Sequence, residues 1–391
     1  MIDYDKIINK TVAQIPPSGI RKFFDLAEQM DDVISLGVGE PDFVTPWAIR
    51  EAGIYSLEKG RTYYTSNSGL IELRNECSKY MQRKYNVHYD PEEEILITVG
   101  GSEAIDLMIR TVVEPGDEVL IPEPSFVCYK PCTNIAGGVP VIIETKEEDN
   151  FKLTPELLKE KITDKTKLLV LPFPNNPTGA IMEREDLEAI AEVLRGTDIM
   201  VLSDEIYAEL QYSTNAHTPF SKIDGMRERT VVINGFSKAF AMTGWRLGYA
   251  MGPAPIIKMM RKIHQFGIMS APTTSQFAAI EALKNCDKDV EHMCNEYNHR
   301  RRYIIDGFRK MGLSCFEPLG AFYVFPCIKS LGMSSEEFCD LLLREEKVAV
   351  VPGTAFGDCG EGFIRCSYAY SIDEIEEALK RIANFVNNHK K

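Results

Sequence analysis

The chain has no CxxC pair among its ten cysteines, no HExxH or comparable spacing among its six histidines, and no apolar run long enough to span a bilayer. The first absence leaves the cysteines as reduced thiols used as small apolar residues, not as disulfides or zinc ligands. The second leaves no metal site. The N-terminus, MIDYDKIINK, carries acidic residues and lacks the apolar core of an export signal, so a cytoplasmic protein is expected. Internal repeats, low-complexity runs and flexible linkers are missing too, so any two lobes should pack together. Positive charge is in deficit. A formal net charge of −14 disfavours nucleic acid and anionic membrane as partners while leaving room for a local basic pocket around a small anion.

At 391 residues the chain exceeds what one compact core usually holds. Short apolar segments alternate with helical patterns from about residue 95 to 250: EILITV, SEAIDLMIRTVV, DEVLIP, PVIIE, KLLVLPF, IMVLSDE, TVVIN and RLGYAMG. That alternation predicts an α/β domain around a mostly parallel, buried sheet. Leu187, Ile190, Ala191 and Leu194 recur at helical spacing, with Gly196 placed to cap a crossover helix. After about residue 285 long charged helices, the segment GAFYVFP and a final helix suggest a smaller α+β lobe. In that final helix Ser371 and Glu374 form a capping box, and Ile375, Ala378, Leu379 and Ile382 make the buried stripe. The expected division is a large domain over 46–284 and a small one built from 1–45 and 285–391.

In an open parallel sheet, ligands bind beyond the carboxyl ends of the strands, so polar residues that follow each apolar run are the candidates for chemistry. Lys238 follows TVVIN in the run GFSKAFAMTGWRLGY, and Arg246 lies eight residues on. Burial and a nearby cation would push such a lysine toward neutrality and make it a nucleophile, with Arg246 the candidate cation. Arg246 also offers a planar fork of donors that suits a phosphate dianion. An amine for an aldehyde beside a cation for its phosphate is the pair of contacts that pyridoxal 5'-phosphate (PLP) needs. A surface helix could produce the same pair by accident, so the weight falls on partners elsewhere.

Those partners recur along the chain. Gly100, Gly101 and Ser102 follow EILITV and open a helix whose free amides would attract phosphate, although a tight turn needs glycine anyway. Asn176 sits in the rigid turn PNNPTG. Asp204 and Tyr207 follow IMVLS. A carboxylate at the end of an apolar strand is costly unless paired. Asp204 could pair a protonated pyridine nitrogen, keeping the ring an electron sink, or could cap the next helix. Asn176 and Tyr207 could both hydrogen-bond the phenolic oxygen of the cofactor.

Taken together, these segments resemble the class I/II aminotransferases of PLP-dependent fold type I. The resemblance runs from LGVGEPDFVTP to FIRCSYAYS, with NNPTG, SDEIY and SKAFAMTGWR in the family's order and at its separations. It implies that Lys238 forms the Schiff base with PLP and then moves the proton from the amino acid's Cα, while Asp204 pairs the pyridine nitrogen. It implies that Asn176 and Tyr207 hold the phenolic oxygen and that Phe126, in PSFVCY, stacks on the ring. Gly101, Ser102, Ser237 and Arg246 would bind the phosphate. Tyr64, in RTYYTSNSG, would join them from the partner subunit of a homodimer with shared active sites; Tyr63 is the competing choice. Arg365, in FIRCSYA, would grip the substrate α-carboxylate with help from the Gly39 amide, and Ile20, in PPSGIRKFF, would wall the pocket.

One position departs from the family's pattern. Gly235 stands three residues before the lysine, where most members carry Ser or Thr. The lost hydroxyl predicts a phosphate hold weaker by about 1 to 2 kcal/mol. The implied activity is two-step transfer of an α-amino group from an amino acid to a 2-oxo acid, with a β-eliminating carbon–sulfur lyase as the alternative. A DNA-binding regulator on the same fold would need a module before the family segment, which begins within the first twenty residues here. No second arginine announces itself for a dicarboxylate, which favours apolar or aromatic amino acids.

Overall fold

The computed structural model describes residues 2–17, 19–20 and 30–390. After the short strand β1 (Ile34–Ser35), seven strands form one sheet: β2 (Ile95–Thr98), β3 (Glu118–Glu123), β4 (Val139–Glu144), β5 (Thr166–Leu171), β6 (Met200–Asp204), β7 (Thr230–Gly235) and β8 (Gly248–Met251). Their order is β2-β8-β7-β6-β5-β3-β4. Neighbours from β4 to β7 pair in parallel, and β8 lies antiparallel between β7 and β2.

Both faces of this sheet are covered, which is why its strands read as unbroken apolar runs instead of alternating ones. On β5, Leu168 and Val170 pack with Ala104, Met108 and Ile257, while Leu169 and Leu171 pack on the opposite face with Leu187, Ile190 and Leu194. The helix Arg184–Leu194 buries the four residues expected of it. Its C-cap is Arg195, and Gly196 follows in the left-handed region at φ 75°.

The direction of the strands decides where chemistry can gather. β2, β3, β5, β6 and β7 all point their carboxyl ends to one edge, so the residues that follow them converge there. Because β8 runs the other way, with Gly248 opposite Gly235, the segment just before it returns to the same edge and carries Arg246 with it.

The C-terminal elements form a second core. β9 (Tyr323–Val324), β10 (Val348–Ala349), β11 (Val351–Pro352) and β12 (Ile364–Ser367) lie among the helices Asp287–Lys310, Ser335–Glu346 and Ile372–His389. β11, β12 and β9 make an antiparallel sheet, and β1 pairs in parallel with β10. Ile304, Phe308, Phe338, Leu342, Ile375 and Phe385 fill the space between. The stretch after β1 is fastened to these elements as well: Ser367 N–H donates to the Leu36 carbonyl, and both oxygens of Asp42 accept from Arg300 at 2.8 Å. Among the described residues, no helix is long and apolar enough to cross a membrane.

The last helix starts with the expected capping box: the Ser371 hydroxyl accepts from Glu374 N–H at 3.3 Å, and the Glu374 carboxylate accepts from Ser371 N–H at 3.0 Å. Ser371→Ala should cost about 1 kcal/mol at this end of the helix. Hydrogen exchange should then show the Glu374 and Ile375 amides opening roughly fivefold faster, with the core strands unchanged; unchanged exchange at those amides would refute the capping role.

Candidate active site

A cavity of about 390 Å³ opens where the strand ends converge. Of the residues singled out in the sequence, Ile20, Gly39, Gly101, Ser102, Phe126, Asn176, Asp204, Tyr207, Ser237, Lys238, Arg246 and Arg365 all line it. Tyr64 does not: its side chain stands in solvent at 78 % exposure, as does that of Tyr63 at 62 %.

Lys238 reaches the cavity from the turn after β7. Its ammonium donates to the Gly39 carbonyl and lies 5.8 Å from the Tyr207 ring and 5.6 Å from the Phe322 ring. Burial lowers its pKa to about 8, and the next largest influence is the positive charge of Arg365. Arg246 contributes less than Arg365 does. The cation expected from nearness in sequence is therefore secondary to one that the fold brings from β12. It is the Gly39 carbonyl that meets the lysine.

Arg365 is 2 % exposed. Its Nη1 donates to Asn176 Oδ1 at 2.9 Å, its Nη2 donates to the Gly37 carbonyl, and its guanidinium lies against the rings of Tyr323 at 4.4 Å and Phe356 at 4.7 Å. Its Nε has no hydrogen-bond partner among the described residues. A buried donor left open in this way costs free energy unless a ligand completes it.

Asp204 ends β6. One oxygen accepts from the Tyr129 hydroxyl at 2.6 Å and the other from Ile206 N–H at 3.2 Å. Burial still holds its pKa above the ordinary aspartate value. Tyr207 shares a hydrogen bond of 2.8 Å with the Tyr323 hydroxyl. Sequence reasoning did not single out Tyr129 or Tyr323. Tyr129 stands three residues after Phe126 in the same segment, which was a usable signal; Tyr323, inside GAFYVFP, reads as core.

Close backbone approach shapes the other end of the cavity. Gly100 has φ 74°, and a Cβ there would lie 2.7 Å from Arg246 Nη2, so the guanidinium rests directly on the helix start. A Cβ on Gly248 would come within 2.6 Å of the Gly100 carbonyl carbon and 2.7 Å of the Gly101 nitrogen. At Gly235 it would meet Gly248 Cα at 3.0 Å, Ile206 Cδ1 at 3.1 Å and the Leu247 carbonyl at 3.1 Å. Counting a missing hydroxyl is thus an incomplete account of Gly235: the position is filled by a neighbouring strand.

A poised amine, a helix start beside an arginine and a buried carboxylate meet at one edge of a mostly parallel sheet and face a buried guanidinium from β12, an arrangement that suits a PLP-dependent enzyme of fold type I. Comparison with known proteins specifies it further. The family described as aminotransferase class I and II matches residues 31–382. YugH of Bacillus subtilis, itself only provisionally named an aminotransferase, is 54 % identical over 96 % of this chain and 97 % of its own. An aspartate aminotransferase of Pyrococcus abyssi is 44 % identical over 96 % of this chain and 97 % of its own. The crystal structure of an aromatic aminotransferase from Pyrococcus horikoshii superposes with a TM-score of 0.90 at 43 % identity, covering 94 % of this chain and 99 % of that one. The chain belongs to the class I and II aminotransferase family. It is a PLP-dependent transaminase whose substrates are an amino acid and a 2-oxo acid.

The residues present fit that cofactor. The turn at Gly100 and Gly101 with Arg246 suits a phosphate dianion, and Lys238 suits an aldehyde. Asp204 has no cation within bonding distance among the described residues, and a basic ring nitrogen would supply one.

In the cofactor-free protein, acylation of Lys238 should rise with pH about a midpoint near 8, because its proton is lost early, while exposed lysines respond only around 10.4. Arg365→Gln should move the Lys238 midpoint upward; mass-spectrometric mapping against pH reads both, and a midpoint near 10 would refute the assignment. Gly235→Ser should lower the stability by roughly 1–3 kcal/mol through overpacking and should not tighten PLP, as read by thermal unfolding and equilibrium dialysis.

Proposed function

We propose that Lys238 is the residue that carries PLP and moves the substrate proton, that Arg365 receives the α-carboxylate, and that the preferred donors are apolar or aromatic amino acids. The observation that carries this reading is the meeting, in one cavity, of a lysine pushed to about 8 with a buried arginine that keeps an open donor.

PLP, when bound, supplies an electron sink for the pair left at the amino acid's Cα. Every other part is the chain's own. Arg365 cannot give up its charge, so it offers a permanent fork to a carboxylate, and Asn176 and Gly37 hold that fork in place. Lys238, neutral for part of the time near pH 8, would take the proton from the amino acid's Cα. Asp204 holds positive charge on the ring nitrogen, with Tyr129 fixing its orientation. Asn176 and Tyr207 donate to the phenolic oxygen, and Phe126 lies against the ring. Gly101, Ser102, Ser237 and Arg246 hold the phosphate.

Tyr64 fits a role on another subunit. Its exposure, together with that of Trp47, Tyr63, Phe266 and Met269, supports a homodimer in which each Tyr64 enters the partner's site. Division into a large domain over 46–284 and a small one from 1–45 and 285–391 is consistent with the ties from Leu36 and Asp42 to C-terminal elements. A cytoplasmic location agrees with ten unpaired cysteines.

The preference for apolar donors rests on the cavity wall. Ile20, Val38, Ile105, Pro172, Pro174 and Ile206 line it, and among the described residues its only arginines are Arg246 and Arg365. A hydrophobic wall distinguishes substrates by roughly 1–3 kcal/mol per methylene-scale change. A panel of amino donors against 2-oxoglutarate and pyruvate should therefore rank phenylalanine, tyrosine and leucine above aspartate in kcat/KM by about tenfold. Aspartate ranking first would overturn this preference and leave the transaminase activity standing.

A further inference from the structure

Tyr323 contacts residues carried by both sheets, Tyr207 after β6 and Arg365 on β12. It is 1 % exposed and lies at the start of β9, which pairs with β12, the strand of Arg365. Its hydroxyl is 2.8 Å from that of Tyr207, and its ring face lies 4.4 Å from the Arg365 guanidinium. Gly39 is packed against the same hydroxyl so closely that a Cβ there would overlap it. The carbonyl of that glycine accepts from Lys238.

Each phenol has one proton. If Tyr207 gives its proton to the ring oxygen of the cofactor, the hydrogen bond between the two tyrosines must run from Tyr323 to Tyr207. Accepting that bond polarises Tyr207 and makes it a stronger donor in a low-dielectric site. The ring does separate work. A guanidinium over an aromatic face is held by the quadrupole without using any of its N–H groups, so the donors stay available for a carboxylate. Resting on the roles given above to Tyr207 and Arg365, we propose that Tyr323 is a positioning residue with two separable functions: its hydroxyl strengthens the donation of Tyr207 to the cofactor, and its ring orients Arg365 for the substrate carboxylate.

The two functions come apart by substitution. Tyr323→Phe keeps the ring and removes the hydroxyl, whereas Tyr323→Leu removes both. Two measurements on the PLP-loaded protein read them: the pH midpoint of its near-visible absorbance, and the dissociation constant of 3-phenylpropionate, an unreactive carboxylate without an amine. Weaker donation leaves more negative charge on the ring oxygen to hold the neighbouring imine proton. The midpoint of Tyr323→Phe should therefore rise by roughly 0.3 to 0.6 unit, with 3-phenylpropionate affinity within about twofold of the original. Tyr323→Leu should show the same rise and bind 3-phenylpropionate about five- to tenfold more weakly.

A midpoint that stays put in Tyr323→Phe overturns the inference, as does a Tyr323→Leu protein that binds the carboxylate normally. Should Tyr323→Leu fail to fold, Tyr323→Phe decides alone. Tyr207→Phe and Arg365→Lys separate this failure from that of the underlying reading. If Tyr207→Phe leaves the midpoint unmoved, or Arg365→Lys leaves 3-phenylpropionate affinity unmoved, the fault lies in those assigned roles and the inference falls with them.

Discussion

Lys238 and Arg365 share one cavity, and much of the site can be understood as the accommodation of that fact. Arg365 is buried and Lys238 largely so, and the charge of Arg365 makes that of Lys238 more costly. Only one of them can respond. A guanidinium keeps its proton under any ordinary condition, while an ammonium gives its proton up when desolvated. The lysine therefore carries the adjustment and is available as a nucleophile, and the arginine stays charged as an anchor for an anion. Asp204 and Glu40 offset part of the repulsion without abolishing it. The arginine fork is then fixed by Asn176, Gly37, Tyr323 and Phe356, contacts drawn from four separate segments of the chain.

The sheet makes that meeting possible. Parallel strands deliver Gly101, Phe126, Asn176, Asp204 and Lys238 to one edge, and the single reversed strand, β8, delivers Arg246 to the same place. Arg365 comes from elsewhere, on the small antiparallel sheet with Tyr323. Arg365 and Lys238 are thus carried by different sheets and meet across the cavity. Asp42 and Leu36 tie the segment carrying Gly39 to the C-terminal elements, so the carbonyl that holds Lys238 is anchored on the arginine's side of the cavity.

Much of this arrangement was legible in the sequence, for a physical reason. Polar residues that terminate apolar strands stand out, because a sheet buried on both faces leaves them nowhere else to be. That rule found Asn176, Asp204 and Lys238. It failed where chemistry uses residues that also serve as core. Tyr323 sits in an apolar run, where nothing in spacing distinguishes a tyrosine that packs from one that also donates, and the one cue to Tyr129 was its place three residues after Phe126. The cation acting on Lys238 was misjudged for a related reason. Arg246 is near in the chain and Arg365 is more than a hundred residues away, but the fold reverses their influence. Tyr64 could be placed by motif alone, because its surroundings in a single chain are solvent.

The stacked glycines at 100, 235 and 248 have one more consequence. That end of the cavity is shaped by main chain meeting main chain, with hardly any side chain between. A contour made of backbone cannot be retuned by exchanging one residue for another; it can only be kept or broken. The rest of the lining, Ile20, Val38 and Ile105 among it, is ordinary side-chain packing and can be resized a methylene at a time. The molecule therefore has a rigid socket and an adjustable jaw in one cavity, and an engineer seeking a new substrate could recut the jaw without disturbing the socket.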